Sequence, residues 1–218
     1  MRLSAPRVSH RPARATRRPA SERRHQIVKA AIAEFAMRSY RDVGTIDIAR
    51  RVGVSEPTIY RYFPSKVEIY LAALDDSTRM IDDAWQSLAD RAPTALDALR
   101  AIGRWSFEQL RDDPPHLALR ARALVETSEP GAIERLREHF EEARRMIERL
   151  YRAAQDAGHL SSALDVRARA WAFMGIGALL DRTQFLGLSA GLDATVLRDV
   201  IASVLPELGG PPGKPSSR

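Results

Sequence analysis

The sequence predicts an all-α protein in which an N-terminal three-helix head precedes a longer helical domain. Three observations support this fold class. Apolar residues recur at intervals of three and four, which is the period of a helix face, and no alternation with a period of two persists. Prolines and glycines also divide the chain into segments of ordinary helix length.

The composition is that of a globular protein outside membranes. Of 218 residues, 44% are hydrophobic and 28% are charged, and no apolar run reaches the roughly 20 residues of a membrane helix. The N-terminus lacks the apolar stretch of a secretory signal. Cysteine is absent, which excludes disulfides and thiolate ligands. We therefore expect a cytoplasmic protein with no membrane partner.

Positive charge is concentrated at the N-terminal end. Residues 1–70 contain 15 Lys plus Arg and 6 Asp plus Glu, whereas residues 71–218 contain 19 and 22. Such a split is typical of a chain whose one end meets a polyanion. Residues 1–20 combine arginines with Pro, Ala and Ser, and we expect a disordered basic arm there. The arm is either a tether to phosphates or a solvated tail.

The head is predicted over residues 21–66. Its first helix extends from Ser21 to about Arg38, and a short second helix ends at Gly53, a residue type that ends helices in the left-handed conformation. A third helix follows one turn later and ends before Pro64. Two short helices joined by a tight turn are the outline of a helix-turn-helix.

The stretch VSEPTIYRYFPSK, residues 54–66, separates into structural and exposed positions. Ser55 is predicted to cap the third helix by accepting from the Thr58 amide, and Pro57 suits the first turn. Ile59 and Phe63 are predicted to face inward against Ile48 and Val52. The remaining faces then carry hydroxyls, a proline and a guanidinium suited to a DNA groove, at Pro57, Thr58, Tyr60, Arg61 and Tyr62.

Lys66 stands at the start of the next helix, where Ser65 and Glu68 form a capping box. A cation at that end opposes the helix dipole, so helix stability alone does not favour it. A phosphate group would attract both the lysine and the helix N-terminus. The sequence therefore predicts a phosphate contact at Lys66, with a solvated lysine as the alternative.

The second domain is predicted over residues 67–207, with a tail of unstructured composition at 208–218. A long helix with apolar positions from Val67 to Leu88 leaves the head. Further helices are predicted near 94–111, 116–126, 131–157, 164–187 and 193–205, with breaks at prolines and at Gly158.

The segment DIARRVGVSEPTIYRYFPSKVEIY, residues 47–70, resembles the DNA-binding signature of the TetR family of bacterial transcriptional regulators. The resemblance covers residues 21–74. It implies a homodimer that reads a palindromic double-stranded DNA operator and a second domain that binds a small-molecule effector. By position it implies DNA contacts at Thr58, Tyr60, Tyr62 and Lys66, with Thr45 and Arg50 as further candidates. Gly44 departs from the family, which usually has Ser or Thr there.

The resemblance and the residues together define three sets of candidates. The predicted DNA-binding set is Thr45, Arg50, Ser55, Pro57, Thr58, Tyr60, Arg61, Tyr62 and Lys66. The candidate effector pocket, for which ordinary core is the alternative, is Met80, Trp85, Trp105, Phe107, His116, Phe140, Met146, Trp171 and Met174. The candidate dimer surface, for which an intramolecular core is the alternative, is Gly175, Ala178, Val196, Val200, Ile201 and Val204.

Enzymatic chemistry finds no support in the sequence. The five histidines lack metal-ligand spacing, and no nucleophile elbow or phosphate loop is present, so we expect neither metal nor cofactor. The leading hypothesis is a repressor that an effector releases from its operator. The alternatives are an activator or architectural factor without effector, or a helical ligand carrier or enzyme with an appended head.

Overall fold

The computed structural model describes residues 20–111, 115–125, 130–188 and 194–208. All the regular secondary structure in these described residues is helical, which confirms the predicted all-α class. The helices are α1 (Ala20–Met37), α2 (Thr45–Val52), α3 (Glu56–Tyr60), α4 (Lys66–Arg91), α5 (Ala95–Arg111), α6 (Pro115–Val125), α7 (Pro130–Asp156), α8 (Val166–Phe185) and α9 (Ala194–Val204). The predicted arm up to residue 19 and the tail from 209 lie outside the described residues.

The head forms because α1, α2 and α3 each bury one apolar face. Phe35 of α1, Ile48 of α2 and Ile59 of α3 are almost fully buried in one cluster, and Phe63 joins them. Gly53 ends α2 with φ 75°, and its amide donates to two carbonyls of the last turn. A side chain at that φ is disfavoured, so glycine sets the angle between α2 and α3.

The core of the head continues into the second domain. Ile69 and Leu74 of α4 belong to the same cluster as the head residues, and so do Leu119 of α6 and Leu136 of α7. The hydrophobic core therefore does not stop at residue 66, and α6 forms part of the support on which α1 rests.

A second core lies between α4 and helices α5, α7 and α8. Ile81 and Trp85 of α4 contribute to it together with Ile102, Ile147 and Phe173. Helix α4, which is 26 residues long, thus contributes side chains to both cores.

A short 3-10 turn, Pro206–Leu208, follows α9 and was not predicted from the sequence. Arg100 of α5 donates to the carbonyl of Glu207 at 3.0 Å, and Arg169 of α8 donates to the carbonyl of Val204 at 2.6 Å. These bonds hold the end of the described chain against the second core. Across the described residues, no helix combines the length and hydropathy needed to cross a bilayer.

Candidate nucleic-acid interface and ligand cavity

Helix α3 and the turn after it present the predicted DNA-binding side chains. Tyr60 is 47% exposed, and Ser55, Pro57 and Arg61 are exposed as well. Thr58 is half-buried. An exposed aromatic hydroxyl beside a guanidinium can donate to phosphate oxygens or base edges. The structure therefore brings the central members of the predicted set onto one short surface element.

The third helix is shorter than predicted and is capped differently. It ends at Tyr60, so Arg61 and Tyr62 lie in the turn beyond it, and Tyr62 packs partly against the first core. The Ser55 side chain does not accept from the Thr58 amide, which donates instead to the Ser55 carbonyl at 2.9 Å. The two hydroxyls of Ser55 and Thr58 lie 2.9 Å apart. The predicted side-chain cap is therefore wrong.

Thr45 turns inward rather than toward a partner. It is 6% exposed, and its Oγ1 donates to the Glu56 carboxylate while lying 3.2 Å from the Tyr60 hydroxyl. Because the single Thr45 proton goes to Glu56, the Tyr60 hydroxyl donates to Thr45 Oγ1. A direct Thr45 contact with DNA does not fit this placement. The carboxylate of Glu56 thereby links α2 to α3.

Lys66 has a structural role that the sequence did not reveal. Its Nζ donates to the carbonyls of Tyr40 (2.7 Å) and Val43 (3.0 Å) and lies 4.2 Å from the centroid of the Tyr40 ring. The lysine thus ties the turn between α1 and α2 to the start of α4. These contacts explain why a lysine stands at the N-terminus of α4, and the explanation does not require a bound phosphate. Of the predicted capping box, the bond from the Glu68 amide to Ser65 Oγ is present at 3.2 Å.

Gly44 caps α2 through its backbone and not through a hydroxyl. Its amide donates to Asp47 Oδ2 at 3.0 Å, and the Asp47 amide donates to the Gly44 carbonyl at 3.0 Å. Hydrogen bonding from the Gly44 amide, aided by Arg38, holds the pKa of Asp47 below its usual value. Arg50 pairs with Asp47 at 3.3 Å and keeps its side chain 74% exposed, so it remains able to reach an anion.

The second domain contains a cavity of about 960 Å³. Five of the predicted pocket residues line it: Trp85, Trp105, Phe107, Phe140 and Met174. This volume lies at the upper end of the range for small-molecule sites, which is roughly 300–1,000 Å³. The walls come from helices α4 to α9, so a ligand placed there touches most of the second domain.

Four predicted pocket residues lie outside the cavity wall. Met80 and Met146 pack against the second core, and His116 Nδ1 faces Ser77 Oγ at 3.3 Å between α6 and α4. Burial lowers the pKa of His116. Trp171 is 50% exposed and lies against Phe140. Helical spacing identifies apolar faces, but it does not say which face borders a void.

Sequence reasoning missed the polar part of the cavity wall. Among the described lining residues Asp97 is the one carboxylate, and His139 adds a buried imidazole. The lining arginines are Arg91, Arg100, Arg104, Arg120, Arg137, Arg182 and Arg198. His139 could have been found from its spacing, since it follows Leu136 by three and precedes Ala143 by four on the buried face of α7. The cavity joins an apolar interior to a wall with several guanidiniums, of which those of Arg100, Arg137 and Arg198 are paired with carboxylates.

Helices α8 and α9 expose apolar side chains. Val196 and Val204 are 42% and 43% exposed, and a methyl group added to Gly175 would meet nothing within 4 Å. Ala178 is exposed and Val200 is half-buried. Ala178 and Ile201 also line the cavity, and Ile201 packs against the second core.

Among the described residues, no group of three or more His, Asp or Glu is placed to hold a metal ion.

Comparison with known proteins begins with the head. The family model described as "Bacterial regulatory proteins, tetR family" matches residues 27–73, from α1 to α4. The HTH-type transcriptional activator FasR of Mycolicibacterium smegmatis is 37% identical over 103 residues, 46% of each chain. The HTH-type transcriptional repressor KstR of Rhodococcus jostii is 28% identical over 133 residues, 61% of this chain and 59% of that one. The chain spans about half the length of the curated relatives it matches.

Solved structures share the fold over most of the chain. FadR from Bacillus subtilis, in complex with stearoyl-CoA, has a TM-score of 0.68 at 20% identity and covers 85% of this chain and 97% of its own. A transcriptional regulator from Pseudomonas aeruginosa has a TM-score of 0.69 at 21% identity, covering 90% and 93%. At these identities the likeness concerns the fold. The matched head signature, taken with α2, α3 and their exposed side chains, confirms the resemblance found in the sequence. Residues 27–73 of this chain therefore match the tetR family of bacterial regulatory proteins, in agreement with the resemblance of segment 47–70.

Proposed function

We propose that the chain is a transcriptional regulator that binds a palindromic operator as a homodimer and responds to a small-molecule effector in its cavity. The observation that carries the proposal is the exposed surface of α3 and the turn after it, where Pro57, Tyr60 and Arg61 are exposed above a buried core. It acts in the cytoplasm, where it meets DNA, and it has no catalytic role.

The head supplies the groups that DNA recognition needs. Arg61 and Arg50 are exposed guanidiniums for phosphates or guanine edges, and Pro57 can touch a thymine methyl. Tyr60 reaches a phosphate by exchanging its bond to Thr45 for one to the anion. Two of the three Lys66 donors are occupied by carbonyls, which leaves its third for a phosphate.

Dimerisation through α8 and α9 supports reading of two half-sites. The exposed apolar side chains of Val196 and Val204, beside the open face at Gly175, suit a twofold four-helix contact. A dimer places two heads on one face of DNA when they are separated by one helical turn, about 34 Å.

The effector class follows from the cavity. Its wall combines Trp85, Phe140, Phe173 and Met174 with seven arginines against one carboxylate among the described lining residues. An apolar molecule with an anionic group satisfies both parts. FadR from Bacillus subtilis, which shares the fold, is a complex with such a molecule, stearoyl-CoA.

Selection from genomic DNA tests the DNA-binding function. Purified protein is incubated with fragments of its own genome, and the retained fragments are sequenced. We expect an inverted repeat among them, and Arg61→Ala should lose that enrichment while keeping the helical circular dichroism signal. Retention of fragments without a shared sequence would contradict specific operator binding and favour an architectural role.

A reporter placed behind the selected site tests the sign of regulation. We propose repression by occupancy of the operator, so expression should rise when the regulator is deleted and when effector is added. Because one matched relative is named an activator and another a repressor, the opposite response would identify activation.

Matched ligands test the effector class. A long-chain fatty acid should raise the melting temperature more than the alcohol of the same length, because the alcohol offers no charge to the arginines. Equal stabilisation by both would reject the anionic requirement, and no effect from either would reject the class.

A further inference from the structure

His139 is an unusual member of the cavity wall. Among the described His, Asp, Glu, Lys and Arg residues it is the one that is buried, with 8% of its surface exposed, and it lines the cavity from α7. Burial of a polar ring beside Leu136, Phe140 and Ala143 costs free energy unless its nitrogens find partners.

One ring nitrogen has a partner on another helix. Nδ1 of His139 lies 3.2 Å from Oδ2 of Asp82 on α4. An ionised carboxylate only accepts, so the proton stands on Nδ1. In the neutral imidazole Nε2 then has a free lone pair and acts as an acceptor. Within the described part of the chain, Nε2 makes no hydrogen bond.

The surrounding wall makes this acceptor distinctive. Seven lining side chains are arginines, which only donate, and Asp97 already accepts from Thr94 at 2.8 Å, so the other side-chain acceptors of the described wall are Ser106 and Gln109. A ligand with an anionic group finds donors in the arginines. A ligand group that itself donates needs an acceptor, and Nε2 supplies one.

We propose that Nε2 of His139 accepts a hydrogen bond from a hydroxyl or amide N–H of the bound effector, and that Asp82 is a positioning residue that holds the imidazole in the accepting tautomer. This inference rests on the proposed function, because it requires the effector to occupy the cavity. The effector class is thereby narrowed to an amphipathic anion that also carries a donor.

The pair also connects the ligand to the helix that carries the head. Asp82 lies between Ile81 and Trp85, which line the cavity, and α4 continues into the first core at Ile69 and Leu74. A donor bound at Nε2 fixes the ring, and through the Nδ1 bond it fixes one position of α4. Ligands with the donor therefore bias α4 more strongly than ligands without it.

Imidazole nitrogen NMR tests the tautomer without any ligand. In the full-length protein, with His139 assigned by its loss in His139→Gln, the signal should show a protonated Nδ1 and an unprotonated Nε2. Asp82→Asn should shift the population toward protonated Nε2, because an amide can donate to Nδ1. A proton on Nε2 of the unliganded wild-type protein overturns the proposal.

Ligand affinity tests the bond itself. The probes are long-chain fatty acids that each carry one hydroxyl at a different carbon, with the unsubstituted acid as reference, and binding is followed by tryptophan fluorescence. At least one hydroxy acid should bind roughly three- to tenfold more tightly than the reference. His139→Asn, which keeps a donor to Asp82 and lacks Nε2, should bring the ratio of the two affinities to about one, whatever its effect on the affinity for the unsubstituted acid.

The outcomes distinguish a wrong role for His139 from a wrong effector class. If the unsubstituted acid binds and no hydroxy acid binds more tightly, or if His139→Asn retains the preference, the role of His139 is wrong and the proposed effector class stands. If no acid binds, the effector class is wrong and this inference falls with it.

Discussion

The carboxylate of Glu56 joins α2 to α3 on the surface that we propose for DNA. It accepts from Thr45, whose oxygen in turn accepts from Tyr60, so one negative charge orders the tyrosine hydroxyl from within the head. Two consequences oppose each other. The bond fixes Tyr60, while the charge repels a phosphate brought near it. A substitution of Glu56 that removes the charge but keeps the hydrogen bond distinguishes these two effects.

Glu56→Gln should strengthen DNA binding. Glutamine keeps an acceptor for Thr45 and removes the charge, so affinity should rise severalfold at low salt, with a smaller gain at high salt as repulsion is screened. Fluorescence anisotropy with a labelled operator measures this. The control is Glu56→Ala, which removes both acceptor and charge and should lower the free energy of unfolding by about 1 kcal/mol. Weaker binding by Glu56→Gln would show that the carboxylate itself contacts DNA.

Lys66→Met should destabilise the head. The substitution keeps the aliphatic stem but removes the donor to Tyr40 and Val43 and the contact with the Tyr40 ring, so the free energy of unfolding should fall by about 1–3 kcal/mol. Urea denaturation measures the change. Lys29→Met is the matched control, because Lys29 is exposed on α1 and should tolerate the same substitution. Equal stability of the two variants would mean that the tie contributes nothing.

At the scale of elements, the pair α8 and α9 has apolar side chains that are exposed among the described residues. Trp171, Leu179, Val196 and Val204 are each more than two-fifths exposed there. Scattered exposed apolar residues are ordinary, but a run along two helices marks an interaction surface.

Val204→Glu should dissociate the proposed dimer without unfolding the protomer. The side chain is 43% exposed, so a charge there is tolerated in the single chain but is costly in an apolar contact. Sedimentation velocity at micromolar concentration should show a dimer for the wild type and a monomer for the variant. Met37→Glu is the control, since Met37 is 71% exposed on α1. A wild-type monomer would reject the interface.

At the scale of the whole molecule, the two domains share their packing. Leu119 of α6 is fully buried against the head, and α4 passes through both cores. The head is therefore stabilised by residues that lie beyond the predicted boundary at 66. Its stability and its orientation depend on the second domain.

Leu119→Ala, a substitution in the second domain, should destabilise the packing of the head. Loss of a buried leucine costs about 2–5 kcal/mol, and hydrogen exchange should rise in α1, which packs on α6. Leu124→Ala on the same helix is the control, because Leu124 is 52% exposed. If exchange in α1 were unchanged while the protein as a whole lost stability, the head core would be independent of α6.

Helices were predictable from the sequence because the residues that end a helix lie next to it in the chain. Gly53 and Gly158 adopt positive φ at the ends of α2 and α7, and Pro93 and Pro115 lie in or beside the breaks around α5. The burial of Ile59 and Phe63 was predicted for the same reason, since helical spacing depends on residues only three or four positions apart.

Partners across the fold were not predictable. The roles of Lys66, Thr45 and Glu56 depend on atoms between 11 and 26 positions away in the chain. The same limit explains the four misplaced cavity residues and the missed pairing of His139 with Asp82, which is 57 positions away, although local spacing places His139 on the buried face of α7. Residue type and periodicity locate an apolar face, but the position of a void and the direction of a polar side chain depend on how helices meet.

The course of α4 through both cores has a consequence for chemists who seek compounds that switch this regulator. On the proposed function, a compound in the cavity changes operator binding from a distance, through the conformation it imposes on α4, which belongs to both cores. Tight binding in the cavity is then a poor guide to efficacy, because a molecule that binds equally well to the DNA-binding and the released conformation shifts neither of them. Screens should rank candidates by the operator affinity of the filled protein, and antagonists will be found among the strong binders that fail that ranking.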